Sequence, residues 1–190
     1  MSAPFFDGTF PHLWQAEILP KRPLILPTRH FVYPAQAEEV ESGALEVLIR
    51  PEETTQEFLA TCALGFRDPA VPTGIWTPPN PDEICAVCGG YAYVIDTHKP
   101  ERFTMIPYRP VIEIRPVLTQ NLLLFVGHHS ILAWGANGQA WKSDRLTSEG
   151  LTIAAFEGSV LHGLGWEMMT DKEIAFTLDL RTGLRLNTHH

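Results

Sequence analysis

Three groups of residues carry the chemistry this sequence offers. The first is Cys85-Ala86-Val87-Cys88-Gly89-Gly90. A CxxCG turn is the form of a zinc knuckle, because the glycine lets amides point at the sulfurs while both thiolates reach one ion. A structural zinc takes four ligands and no second CxxC follows, so Cys62 with His98, or with His128 or His129, would have to complete a Cys3His set. The competing reading makes Ile84 to Val87 a buried strand. Residues three apart in extended backbone face opposite sides, and Cys85 and Cys88 would then be small core residues unable to share an ion.

The second group is histidine. His128-His129 follows Gly127, and His162 sits in Leu161-His162-Gly163, with Glu149, Glu157, Glu167, Asp171 and Glu173 near in sequence. A metal site in a β-barrel uses two or three imidazoles and a carboxylate directed inward. Adjacent histidines in a strand face opposite ways, so one of the pair, His128, is nominated together with His162. The bland alternative is hydrogen-bonded histidines at strand ends. The third group is aromatic. Trp76 lies in Ile75-Trp76-Thr77-Pro78-Pro79-Asn80-Pro81, where a rigid proline-rich loop would present an indole to a protein or ligand. Trp134, Trp141 and Trp166 read as hairpin and core packing. No GxSxG elbow occurs, and Gly89-Gly90 leads into a strand rather than a helix, so neither a serine nucleophile nor a phosphate loop is indicated.

The elements that must position these groups are short and β-rich. Strands are predicted at Ala44 to Arg50, Gly90 to Thr97, Val111 to Val117, Asn121 to Val126, Ser130 to Trp134, Leu151 to Phe156, Val160 to Trp166 and Glu173 to Leu180. Tyr91, Tyr93 and Ile95 fall on one face. Asn137-Gly138, Glu157-Gly158-Ser159 and Arg181-Thr182-Gly183 supply turns. The segment from Glu52 to Leu64 admits either a helix, with Pro51 at its first turn, or a strand. Residues 1–40 differ, because prolines at 4, 11, 20, 23, 27 and 34 keep the backbone extended and remove donors. They read as an arm wrapping a single β-rich body over residues 41–188. Phe5, Phe6, Phe10, Trp14 and the Leu24-Ile25-Leu26 cluster are its anchors, covering a groove on this body or on a partner. The fold class is all-β: an antiparallel sandwich, a barrel or a partial propeller-like meander.

A similarity recurs at a period near 40. YAYVIDTHKPERF from Tyr91, ILAWGANGQAW from Ile131 and AFTLDLRTGLRL from Ala175 align Asp96, Gly135 and Asp179, at offsets of 39 and 44 residues. These units resemble the blades of WD-repeat and quinoprotein-type propellers, without the Gly-His…Trp-Asp pair. The resemblance implies four strands per unit; a run of meander hairpins with similar turns is the alternative. The block from Trp141 to Gly183 resembles a segment of uncharacterised bacterial proteins of similar size, which implies a bacterial origin and no particular chemistry.

Composition bounds the function. The 190 residues hold 14 Lys+Arg against 22 Asp+Glu, a net charge of -8, which argues against nucleic acid as a partner. A chain that is 45% hydrophobic and 19% charged is not disordered. The longest apolar run, Leu122 to Val126, is far short of the roughly 20 residues a spanning helix needs. The N-terminus has no basic segment and apolar core of the secretory kind, and three cysteines do not make a disulfide framework. A cytoplasmic protein without membrane contact is expected, and His189-His190 is set aside. The expected function is a non-enzymatic β-module binding a protein partner or itself, in an adaptor or immunity-type role through Trp76, Trp14, Phe5 and Phe6. The alternatives are a metal-dependent enzyme using His128, His129 and His162 or a Cys85/Cys88 zinc, and a small-ligand or carbohydrate binder. No cofactor is expected unless that zinc is bound.

Overall fold

Runs of β-branched and aromatic residues, cut by Gly, Pro and Asx turns, become strands throughout the chain. A computed structural model describes residues 4–35, 37–52 and 56–186, with backbone alone at 37–39. The chain divides into two compact units, Met1–Val111 and Ile112–His190. The division differs from the arm over 1–40 and single body over 41–188 that the prolines suggested.

The first unit contains β1 (Phe5–Asp7), β2 (Trp14–Leu19), β3 (His30–Tyr33), β4 (Ala44–Pro51), β5 (Phe58–Ala63), β6 (Gly74–Trp76), β7 (Glu83–Cys88), β8 (Tyr91–Asp96) and β9 (Phe103–Met105). One sheet has the order β2-β4-β5-β3, and the other β1-β6-β7-β8-β9. Their core is built by alternation. Leu45, Val47 and Ile49 of β4 and Phe58, Ala60 and Cys62 of β5 pack with Ile84, Ala86 and Cys88 of β7 and Tyr93 and Ile95 of β8. Two large rings bring polar tips into this layer. Trp14 Nε1 donates to the Glu83 carbonyl at 2.9 Å and Tyr33 Oη to the Pro100 carbonyl at 2.7 Å, so both rings are buried with their polar atoms matched.

The proline-rich N-terminus is therefore woven in rather than wrapped around. β2 pairs antiparallel with β4, β3 runs parallel to β5, and β1 runs parallel to β6. Within the first unit every proline falls outside a strand except Pro51, the last residue of β4. The helix considered for 52–64 does not form over its later part, which is strand β5; residues 53–55 lie outside the described residues. Phe58 to Ala63 is buried on both faces, so its sequence has no alternation to distinguish strand from helix.

The second unit holds β10 (Glu113–Val117), β11 (Leu122–Val126), β12 (Ile131–Gly135) and β13 (Gly138–Lys142), followed by β14 (Glu149–Glu157), β15 (Val160–Glu167) and β16 (Lys172–Asp179). Each group is an antiparallel meander in sequence order. Leu122, Leu124, Val126, Ile131 and Ala133 share a core with Leu151, Ile153, Leu161, Phe176 and Leu178. Residues 184–186 extend the second meander: Leu186 N donates to Thr177 O and Asp179 N to Leu184 O, both at 2.9 Å. The protein is all-β, made of open sheets, with no closed barrel among the described residues.

The 40-residue similarity has a structural cause. Asp96, Gly135 and Asp179 each end the third strand of a meander, β8, β12 and β16. Two of the turns share chemistry: Asp96 Oδ1 accepts from the His98 and Lys99 amides, and Asp179 Oδ1 from the Arg181 amide. At Gly135 a tight turn replaces the Asx turn, with Gly135 paired to Gly138.

Trp14 supplies a direct check of this packing. Trp14→Ala is expected to lower stability by about 3–5 kcal/mol. Trp14→Phe, which keeps a ring but orphans the Glu83 carbonyl, should cost about 1–3 kcal/mol. Denaturant titration of both variants measures the difference.

Candidate functional site

The sequence-nominated residues are dispersed into structural roles. Cys88 lies in the core of the first unit with Ala86 and Ile84, whereas Cys85, one strand residue out of phase with them, is buried on the opposite face of β7. The two thiols cannot share an ion. Burial pushes Cys85 above its ordinary value and Cys88 up to about 12, so both stay protonated, unlike the thiolates a zinc requires. The CxxCG signal is the end of a strand plus its hairpin turn, in which Cys88 pairs with Tyr91 across Gly89 and Gly90. Both glycines have positive φ, 56° and 76°, as a two-residue hairpin of this hand demands.

His128 is exposed, and His162 projects from β15 with Nε2 3.4 Å from a Glu157 carboxylate oxygen, outside hydrogen-bond geometry. His129 lies beside His128, the rings 6.2 Å apart. Among the described residues no three His, Cys, Asp or Glu side chains gather to hold an ion. Trp76 is strand rather than loop and only 6% exposed, with the Phe5 ring tilted against it at 5.7 Å. Trp14 is core. Phe5 and Phe6 are half exposed on the edge strand β1.

A different site forms between β2 and β3. The loop Pro20-Lys21-Arg22-Pro23-Leu24-Ile25-Leu26-Pro27-Thr28-Arg29 carries Leu24 at 99% and Ile25 at 89% exposure. Its prolines fix φ at three positions and bias the residues before them to extended backbone. Both ends of the loop are pinned. Arg22 Nε donates to Glu46 Oε1 at 2.8 Å. Arg29 Nη1 donates to the Gln56 carbonyl at 3.0 Å, with its guanidinium 5.8 Å from the rings of both Phe31 and Phe58.

Glu46 is the hub. It stands on the face of β4 opposite the core and is nevertheless buried, as is Thr61 beside it on β5. Thr61 Oγ1 donates to Glu46 Oε2 at 2.6 Å, and His30 Nε2 lies 2.8 Å from the same Thr61 oxygen. Thr61 has one proton and gives it to Glu46, so the His30 Nε2 proton must be donated to Thr61. The relay runs His30 to Thr61 to Glu46, with Arg22 closing it from the loop. A cavity of about 260 Å³ adjoins, lined by Arg22, Val32, Val40 and Glu41.

The direction of these bonds decides what the relay does. In a nucleophilic triad the imidazole takes the hydroxyl proton. Here the hydroxyl proton points at the carboxylate, and Thr61 is fully buried, so the arrangement clamps rather than attacks. Burial, and secondarily the Arg22 charge, hold His30 below its ordinary value, against an opposing pull from Glu46.

No protein-family model matches the chain, and no curated protein matches it. Among solved structures the chain is similar to the crystal structure of the N-terminal domain of Nup159, at 12% identity and a TM-score of 0.39, covering 100% of this chain and 54% of that one. The chain thus spans about half the length of that structure.

Two outcomes follow from the clamp. Thr61→Val removes both of its hydrogen bonds and should cost about 1–3 kcal/mol, read by denaturant unfolding. It should also raise hydrogen exchange at the Lys21 and Leu24 amides. The second concerns acid. A depressed His30 means that the unfolded chain takes up the proton first as pH falls through 6.5, so the stability of this site is complete above that value and declines below it. His30→Asn should therefore show a shallower stability loss than the parent between about pH 7.5 and about pH 5.

Proposed function

We propose that this protein is a non-enzymatic module that docks onto another protein through the β2–β3 loop, in an adaptor or immunity-type role in a bacterial cytoplasm. One observation carries the reading: a proline-bracketed loop holds Leu24 and Ile25 almost wholly in solvent while Arg22 and Arg29 fix its two ends. Apolar side chains held out on a pinned loop lose little further freedom on binding, so their burial converts more fully to affinity. Covering a Leu or Ile is worth about 1.5–3 kcal/mol each, the scale of a binding hot spot.

The partner implied has an apolar groove for Leu24 and Ile25. Around the groove its surface is basic, to suit a chain of net charge -8. The likeness of residues 141–183 to bacterial proteins supports the source. The direction of the Thr61 hydrogen bond supports the absence of nucleophilic chemistry at the relay.

The test places a photo-cross-linking residue at Ile25 and carries the same residue at the exposed Thr28 as a control. A discrete adduct at Ile25 that disappears in Leu24→Asp, with an unchanged melting temperature, is expected. The double variant Leu24→Asp/Ile25→Asp should weaken binding of the identified partner by about two to four orders of magnitude. An adduct made only with a second copy of the chain, an adduct indifferent to Leu24→Asp, or one stoichiometric metal ion in the purified protein would overturn the reading.

A further inference from the structure

In the second meander of the second unit, β15 turns its large side chains away from the core. Leu151, Ile153, Leu161, Phe176 and Leu178 define the core face. On β15 that face also carries Gly163 and Gly165, and a Cβ at Gly163 would run into the Phe176 ring. Alternation then sends Val160, His162, Leu164 and Trp166 to the other face. The outward row of an antiparallel sheet is ordinarily polar. Here Leu164 is half-buried and Trp166 is 43% exposed.

The pairing of the strands extends this outer face. Leu164 stands opposite Thr152 of β14 and Ala175 of β16, and His162 opposite Ala155 and Thr177. Arg185 bridges Leu178 on the core side, so the next residue, Leu186, falls on the outer face, where it is 39% exposed. The middle of the face is therefore aliphatic and hydroxylic. Its ends are acidic. Trp166 is opposite Glu149 on one side and Glu173 on the other, and Val160 is opposite Glu157 and Asp179. Arg181 engages Asp179. Among the described residues the Glu149 and Glu173 carboxylates have no hydrogen bond or ion pair. Lys172, opposite Glu167, alternates to the core side as Arg185 does.

An apolar strip with carboxylates at both ends selects its cover by charge. A second copy does not suit it: two-fold pairing of this face with itself sets acid against acid in either orientation. A cationic partner does. Cross-strand neighbours lie about 5 Å apart, so a Lys or Arg laid on the Trp166 ring meets a carboxylate on each flank. The two ends are about 20 Å apart along β15, a span that a helix covers in about 13 residues. We propose that this face docks a basic amphipathic helix of a partner protein. Its apolar stripe lies on Leu164, Ala175 and Leu186, and a Lys or Arg sits on Trp166 between Glu149 and Glu173. The surface belongs to the second unit and makes no use of the β2–β3 loop.

The test uses the full chain with a synthetic peptide of about 14 residues as probe, leucine along one helical face and lysine elsewhere. Binding is read from chemical shifts of the Leu164 methyl groups and the Trp166 indole. The comparisons are the same peptide with glutamate for lysine, and a scrambled leucine–lysine peptide without the stripe. The striped basic peptide should shift both signals saturably, and both comparisons should bind at least about tenfold more weakly. Glu149→Gln/Glu173→Gln should weaken the basic peptide at least about fivefold with an unchanged melting temperature. Glu52→Gln/Glu101→Gln, at exposed positions of the first unit, should bind like the parent. So should Leu24→Asp/Ile25→Asp, which separates this surface from the loop. The proposal is overturned if the peptide shifts only residues outside β14, β15 and β16, or if either comparison peptide binds equally well. It is overturned too if both glutamine pairs weaken binding alike, or if Glu149→Gln/Glu173→Gln binds like the parent. A dimer of the chain that Leu164→Asp dissolves would also contradict it.

Discussion

A carboxylate on the non-core face of the first sheet is the constraint from which the rest of the candidate site follows. Glu46 has a side chain only 6% exposed, and a charge so placed has to be matched on both oxygens. One oxygen is met from within the sheet by Thr61, which is in turn supported by His30. The other is met from the preceding loop by Arg22. That choice fixes where the chain leaves β2. Arg22 is turned inward and Arg29 is held over Phe31 and Phe58, and between them Leu24 and Ile25 stand in solvent.

The same logic of matched polar atoms organises the layers. Trp14 and Tyr33 belong to strands of one sheet, and their polar tips are matched by backbone carbonyls at Glu83 and Pro100. In the second unit Trp141 Nε1 does the equivalent with the Leu180 carbonyl at 2.7 Å. Large rings that would otherwise be merely greasy become directional links. Trp14, which looked available for binding, is consumed by the fold in this way, and Trp76 is buried within β6.

Much of the architecture is readable from residues alone where one face of a strand differs from the other. Leu151 and Ile153 are buried while Thr152 and Ala154 between and beyond them are exposed, and β14 falls where that alternation puts it. Asp96, Gly135 and Asp179 mark the ends of third strands because turn chemistry is local and leaves a local signature. Legibility fails where both faces are buried. Phe58 to Ala63 and Ile84 to Cys88 are buried at every position, Thr61 included, so the period that separates strand from helix, or strand from metal turn, is absent. It fails again in the N-terminus, where proline density suggested an arm although the strands simply run between the prolines.

The candidate site was less legible than the fold for a plain reason. The contacts of its relay join positions separated by 15, 24 and 31 residues, and no spacing rule connects a threonine, a histidine, a glutamate and an arginine drawn from four segments. What the sequence did display was Leu24-Ile25-Leu26 between prolines, an apolar cluster that needs cover from this body or from another. The account rests on that loop being rigid in solution while its apolar tip is bare. Backbone relaxation of the Lys21, Arg22, Leu24, Ile25 and Leu26 amides measures this directly. Order parameters near about 0.85, equal to those of β4 and β5, are predicted; values below about 0.6 across Leu24 to Leu26 would contradict it.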